Sequence, residues 1–236
     1  MIQSASMTSF VSDLMPQSVI HGFGTQSLGD GRDDAVLPSF FEKKGVGFKR
    51  IIRPSQYHST NICIAHVHDY EQQEYKADGV ITTDPEVVLT VLSADCVPII
   101  YVDPIARIIG ISHQGWKGTL DKLPSKMIQK MKELGSNPED ISCTIGPSIQ
   151  DCCYEIWGER EVLFDYIFGE KVINNEKSHK TLSLSKANYQ SLIQAGIPKE
   201  HIDMSALCTS CESDRLWSYQ REGQINGEMI SYVMLK

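Results

Sequence analysis

Three residues have side chains able to ligate a metal and stand beside polar or turn-forming neighbours. His58 lies in RPSQYHST with Gln56, Ser59 and Thr60; Cys96 lies in SADCVP between two apolar runs; His113 closes a run in GISHQGWKG, ahead of a turn bracketed by glycines. Thiolate and imidazole suit a borderline-soft divalent metal, and three such donors with one open position make a catalytic zinc arrangement. That ion could activate water or polarise a leaving group. The same residues also permit thiol chemistry, with Cys96 as nucleophile and His113 as base. Spacing does not choose between these. The three residues match no compact motif, Cys96 equally fits a small core side chain, and each histidine fits a surface or capping position. Asp95 fits a proton handler, a partner of a ligating histidine, or a turn aspartate bonded to its own backbone.

The remaining candidates are weaker. The seven cysteines include Cys152 and Cys153 in IGPSIQDCCYE and a C-x-x-C at Cys208 and Cys211. Adjacent cysteines bridge each other poorly, and Cys152 and Cys153 read as packing beside Tyr154. The C-x-x-C lacks a thioredoxin-like setting and has no second C-x-x-C for a structural zinc, so it reads as a loop rim. His66 and His68 would share one strand face, but with Asp69 and Glu71 near them they read as a solvated strand. Arg53, Lys117 and Arg221 are candidate anion readers. There is no Walker loop, and GFGTQSLGDG is not a dinucleotide fingerprint.

These side chains need elements to hold them. Val87–Leu92, Val97–Val102 and Ile108–Ser112 read as strands. The middle run is apolar on both faces and so buried on both, with Pro98 slightly against it. The stripe Leu123, Met127, Ile128, Met131 and Leu134 predicts a helix starting near Pro124 and ending before Gly135. Helices are also expected over Ile156–Phe168 and over Ser185–Ala195, the latter capped by Ser185. Phe40–Arg53 gives no clear pattern. KELGSNPEDISCTIG and IQAGIPKEHIDMSAL share a helix–Gly–Pro–strand pattern. It fits two similarly packed αβ units, although that connection is common enough to need no duplication.

The 236 residues are 41% hydrophobic and 22% charged, which suits a folded chain rather than a disordered one. No linker divides them, and one domain over residues 1–236 is expected. A net charge of −8 disfavours nucleic acid as the main partner. No apolar run reaches the roughly 18 residues of a membrane span. Met1–Leu14 lacks a basic start with an apolar stretch, so no signal peptide is expected. An odd number of cysteines then fits reduced thiols and a cytoplasmic location. Nothing indicates the oligomeric state.

Taken in order, HGFGT, QYHST, ADGVITTDPEVVLTVLSADCVPIIYVDP, GISHQGWKGTL, IGPSIQDCCYEI and SYQREG resemble the polyphenol oxidase, or laccase-domain, family, whose members are mostly described as metal-dependent purine nucleoside phosphorylases. The resemblance runs from about His21 to the C-terminus. It implies a single α+β domain of mixed β-sheets flanked by helices, and zinc on His58, Cys96 and His113. It further implies phosphorolysis of adenosine, inosine, guanosine or methylthioadenosine, and adenosine deamination. Substrate contacts are expected at Lys117, Arg221 and Gln56. Some members are described as copper polyphenol oxidases, but seven histidines with a single H-x-H make a full multicopper set hard to build, although copper outcompetes zinc at many such sites. Gln26, Lys117, Gln220 and Glu228 stand where arginine is usual in this resemblance. Lysine does not reproduce a bidentate guanidinium, so phosphate capture is expected to suffer more than deamination. A nucleoside-binding module without turnover is the reading from another class.

Overall fold

The computed structural model describes residues 2–4, 7–69, 73–175 and 179–236; Glu71 lies outside them. The first half of the chain forms β1 (Ile2–Ser4), β2 (Ser9–Ser12), β3 (Val19–Gly24), α1 (Val36–Lys43), β4 (Arg50–Ile52), β5 (Ile62–Ile64) and β6 (Gly79–Thr82). Next come β7 (Val87–Ser93), β8 (Val97–Asp103), β9 (Ile108–Gln114), α2 (Trp116–Leu120), α3 (Leu123–Glu133) and β10 (Ser142–Ile145). The chain continues through α4 (Glu159–Phe168), β11 (Ile173–Asn174), β12 (Thr181–Leu182), α5 (Leu184–Gln194), β13 (Ile202–Met204), α6 (Tyr219–Glu222) and β14 (Met229–Leu235).

The strands build two six-stranded mixed sheets, in the orders β1-β2-β3-β14-β7-β4 and β13-β10-β8-β9-β6-β5, with β11 and β12 as a small pair. The sheets face each other. Phe23, Leu89, Val91 and Val233 of the first pack with Val80, Ile100, Val102 and Ile109 of the second. The outer face of the second sheet, through Val97, Ile99 and Tyr101, packs on α3, α4 and α5. The outer face of the first, through Val88, Ile230 and Tyr232, packs on Leu37 and Phe41 of α1. The result is a helix–sheet–sheet–helix stack, in keeping with the expected α+β class. β8 is buried throughout because alternate residues enter different cores. That explains its unbroken apolar run. Pro98 stands one residue beyond the last β10 register pair, Ile145–Ile99, and its carbonyl still accepts the Gly146 N–H at 2.8 Å, so only the donor that proline lacks is missing there.

Several boundaries differ from the sequence expectation. The helix expected from Ile156 starts at Glu159, because Gly158 before it takes φ 64°. The cap of α5 is Ser183, whose side chain accepts from the Lys186 N–H; Ser185 is buried inside the helix. α1 was not anticipated, although Leu37, Phe40 and Phe41 have helical spacing. His66 and His68 lie in a turn rather than a strand. The two helix–Gly–Pro–strand segments do lie side by side: β10 and β13 pair in parallel, and α3 packs on α5.

Candidate metal centre and its cavity

His113 sits in β9 opposite Pro98 of β8, and Cys96 is the last residue of the turn entering β8. Both positions follow from one hairpin register. A slip of one residue would send His113 to the other face. His58 comes from the loop between β4 and β5, with φ 61°. One potential ligand atom from each of His58, Cys96 and His113 lies within 4.8 Å of the other two. Cys96 Sγ is 3.7 Å from His58 Nε2. The set is graded from the exposed His58 through Cys96 to the buried His113.

Asp78, fully buried ahead of β6, organises this set. His113 Nδ1 donates to Asp78 Oδ1 at 2.9 Å, which leaves Nε2 as the ligating nitrogen. The carboxylate also accepts the backbone N–H groups of Tyr57, His58 and Ser59 and the Ser59 hydroxyl. The loop that carries His58 is therefore pinned to the group that orients His113. This is the carboxylate–histidine arrangement found behind metal ligands. Burial pushes the Asp78 carboxyl up, but the bonds from His113 and Ser59 outweigh it and bring it down to about 2. Burial likewise opposes charge on His113 and Cys96. Their attraction for each other, with Asp78 on the far side of the ring, overrides it and takes His113 up to about 10 and Cys96 down to about 6. A thiolate is thus available near neutral pH, as a metal ligand requires. Gly115 permits the close approach: a Cβ there would lie 2.5 Å from His58 Cδ2 and 3.4 Å from Cys96 Sγ.

Asp95 has φ 96°, a conformation uncommon outside glycine. Its carboxylate accepts from the Thr209 hydroxyl at 2.5 Å and the Gln220 N–H at 2.7 Å, and its carbonyl accepts from the Ile149 N–H at 3.0 Å. These bonds hold the turn that presents Cys96.

The three candidate ligands line a cavity of about 380 Å³, within the range of small-molecule sites. Trp116, Tyr154 and Tyr219 supply aromatic surface, and Asp95, Arg160, Gln220 and Glu228 supply polar groups. Arg160 lies 4.5 Å from the Trp116 ring centroid and donates to the Tyr154 hydroxyl at 2.9 Å. Burial raises the Glu228 carboxyl above its ordinary value. Three residues expected to contact substrate sit outside this lining. Gln56 holds the Leu92 peptide through both ends of its amide. Arg221 donates to the carbonyls of Thr209, Ser210 and Leu216 and to Glu222. Lys117 Nζ stands 5.5 Å from the Trp116 ring centroid. Arg53 donates to the Gly31 carbonyl and pairs with Asp34.

Sequence reasoning missed Asp78, Trp116 and Arg160. Asp78 had a signal, since it falls in the quoted ADGVITTDP block. Arg160 had none, since only the fold brings α4 to the cavity.

Residues 37–236 match the family model described as multi-copper polyphenol oxidoreductase laccase. The chain belongs to this laccase-like family. Purine nucleoside phosphorylase YlmD of Bacillus subtilis is 32% identical over 71% of this chain and 62% of its own length. Purine nucleoside phosphorylase LACC1 of Homo sapiens is 30% identical over 98% of this chain and 59% of its own length. Adenosine deaminase RL5, from an unknown prokaryote, is 30% identical over 81% of this chain and 78% of its own. The chain thus spans about three fifths of the first curated relatives it matches. The hypothetical protein YfiH of Bacillus licheniformis has the same fold, with a TM-score of 0.89 and 26% identity over 100% of this chain and 99% of that one. Among the described residues, no helix of this laccase-like chain is long and apolar enough to cross a membrane.

Proposed function

We propose that the chain is a zinc-dependent enzyme of purine nucleosides that phosphorolyses the N-glycosidic bond and deaminates adenosine. The observation that carries this is the His58–Cys96–His113 set at an aromatic-lined cavity, with Arg160 and Glu228 facing the same space. The relatives' names support purine nucleoside chemistry in general.

The donor set suits zinc: one thiolate and two imidazoles, with His113 oriented by Asp78 and a side open to the cavity. A zinc ion bound there supplies Lewis acidity for a developing negative charge or for water. The protein's own groups do the rest. Trp116, Tyr154 and Tyr219 offer flat apolar surface to a purine ring. In phosphorolysis a phosphate oxygen bonds to the ribose C1′. The bond to the base nitrogen breaks, and its electron pair leaves with the base, which takes up a proton. Glu228, held protonated more readily by burial, is placed to give that proton. Arg160 is the guanidinium available to phosphate. It partly answers the absence of arginine at Gln26, Gln220 and Glu228. Asp95, whose carboxylate already accepts two donors, serves as a positioning residue for Cys96 rather than as the proton handler. Among the described histidines only His58 and His113 join a multi-ligand cluster, so the imidazole-rich centres of a multicopper oxidase find no support.

The test is adenosine with zinc-loaded protein, with and without phosphate, resolved by chromatography. Adenine with ribose 1-phosphate only when phosphate is present, and inosine in either case, is the expected result. Neither product from fully zinc-loaded protein would sink the proposal.

A further inference from the structure

The C-x-x-C pair has a partner pair after all, although not a second C-x-x-C. Folding brings Cys152 and Cys153, from the loop after β10, against Cys208 and Cys211, and potential ligand sulfurs of all four lie within 4.8 Å of one another. Cys211 Sγ is 3.6 Å from that of Cys152 and 3.4 Å from that of Cys153. A tetrahedral zinc with Zn–S bonds of about 2.3 Å has sulfur–sulfur edges of about 3.8 Å. These separations fit that figure and are far from a disulfide bond of about 2.0 Å.

We propose that Cys152, Cys153, Cys208 and Cys211 form a second metal site, a closed tetrathiolate site for zinc. The C-x-x-C loop is built as a ligand loop. The Cys208 sulfur accepts the Gln150 N–H at 3.5 Å, and the Cys208 carbonyl accepts the Cys211 N–H at 3.1 Å, which closes the turn between the two cysteines. An amide donor to the sulfur favours the thiolate that a metal needs. The loop's carbonyls at Thr209 and Ser210 are fixed by Arg221, and Thr209 N–H donates to Ser148 at 3.1 Å. With four protein ligands and no open position, the site is structural. None of the four cysteines lines the active cavity, but their two loops bracket it: Ile149 and Tyr154 flank one pair, and Thr209, inside the other, holds Asp95. The ion would lock these walls together. The inference is independent of the reaction proposed above.

Zinc content tests it on protein made in zinc medium and purified under reductant. Wild type should carry about two equivalents, and Cys96→Ala, which opens the first centre, should keep about one. Adding Cys208→Ser and Cys211→Ser should remove that one. If that triple variant fails to fold, X-ray absorption at the zinc edge of Cys96→Ala decides, with an all-sulfur shell expected. Cobalt titration of Cys96→Ala should give a sulfur-to-cobalt charge-transfer band with tetrahedral d–d bands. A zinc-free Cys96→Ala protein, a shell rich in nitrogen or oxygen, or a Cys153–Cys211 disulfide persisting under reductant would each overturn the assignment.

Discussion

His113 donates through Nδ1 to Asp78 Oδ1 at 2.9 Å, with both side chains buried. Because the same carboxylate holds the His58 loop, one side chain sets the position of two of the three candidate ligands. Asp78→Asn should weaken zinc binding by roughly 10- to 100-fold, the usual cost of losing such a partner. Competition against a chelator of known affinity measures it, and an unchanged constant would show that the ligands orient themselves without Asp78.

Gly115→Ala should have a similar effect by a steric route. Its methyl group would meet the His58 ring at 2.5 Å, and His58 is on the exposed side of the set and free to swing away. Weaker zinc binding with little change in Tm of the zinc-free protein is expected. A large loss of zinc-free Tm would instead place the cost in the fold.

Glu228→Gln should lower kcat for phosphorolysis by about 10²- to 10⁴-fold, the range of a lost general acid. Zinc content should not change. A variant with wild-type kcat would remove Glu228 from the proton path.

Arg160→Ala separates the two reactions. A lost charged hydrogen bond to phosphate amounts to about 1.5–3 kcal/mol, or roughly 10- to 150-fold in the KM for phosphate. Deamination, which uses water, should keep its rate. Equal damage to both would mean that Arg160 acts through the Trp116 and Tyr154 packing.

His21 gives a pH dependence away from the site. Its Nε2 accepts the Ser12 N–H at 2.9 Å, a bond only the neutral ring can make, and burial takes its pKa from 6.5 down to about 4. The fold thus holds the neutral ring, while the unfolded chain takes up the proton first. The contribution is fully present above pH 6.5 and is lost as pH falls through about 4. Tm should drop across this interval in wild type and less in His21→Gln. Parallel curves would reject the assignment.

β7, β8, β9 and α3 were legible because their signal is local: β-branched runs, one apolar stripe, and Pro and Gly at the helix ends; the order of strands in the two sheets was not. The sites were legible only in part. His58, Cys96 and His113 stood out by residue type, but their meeting depends on the β8–β9 register and on a loop pinned by a carboxylate. The nearness of the four cysteines was not legible, because a spacing pattern cannot show where two loops meet. Arg221 looked like an anion reader from its charge alone. Its guanidinium is taken up by backbone carbonyls, a competition that no sequence pattern displays.

The order of strands in the first sheet has a consequence for synthesis. Among the described residues, β14 is the last strand, yet it is the only link between β1-β2-β3 and β7-β4. A polypeptide emerging from the ribosome N-terminus first therefore carries two half-sheets with open edges on β3 and β7 until residues 229–235 are out. Those unpaired edges are the places where a nascent or prematurely terminated chain would recruit a neighbour, and a chaperone that shields them has work to do only during that interval.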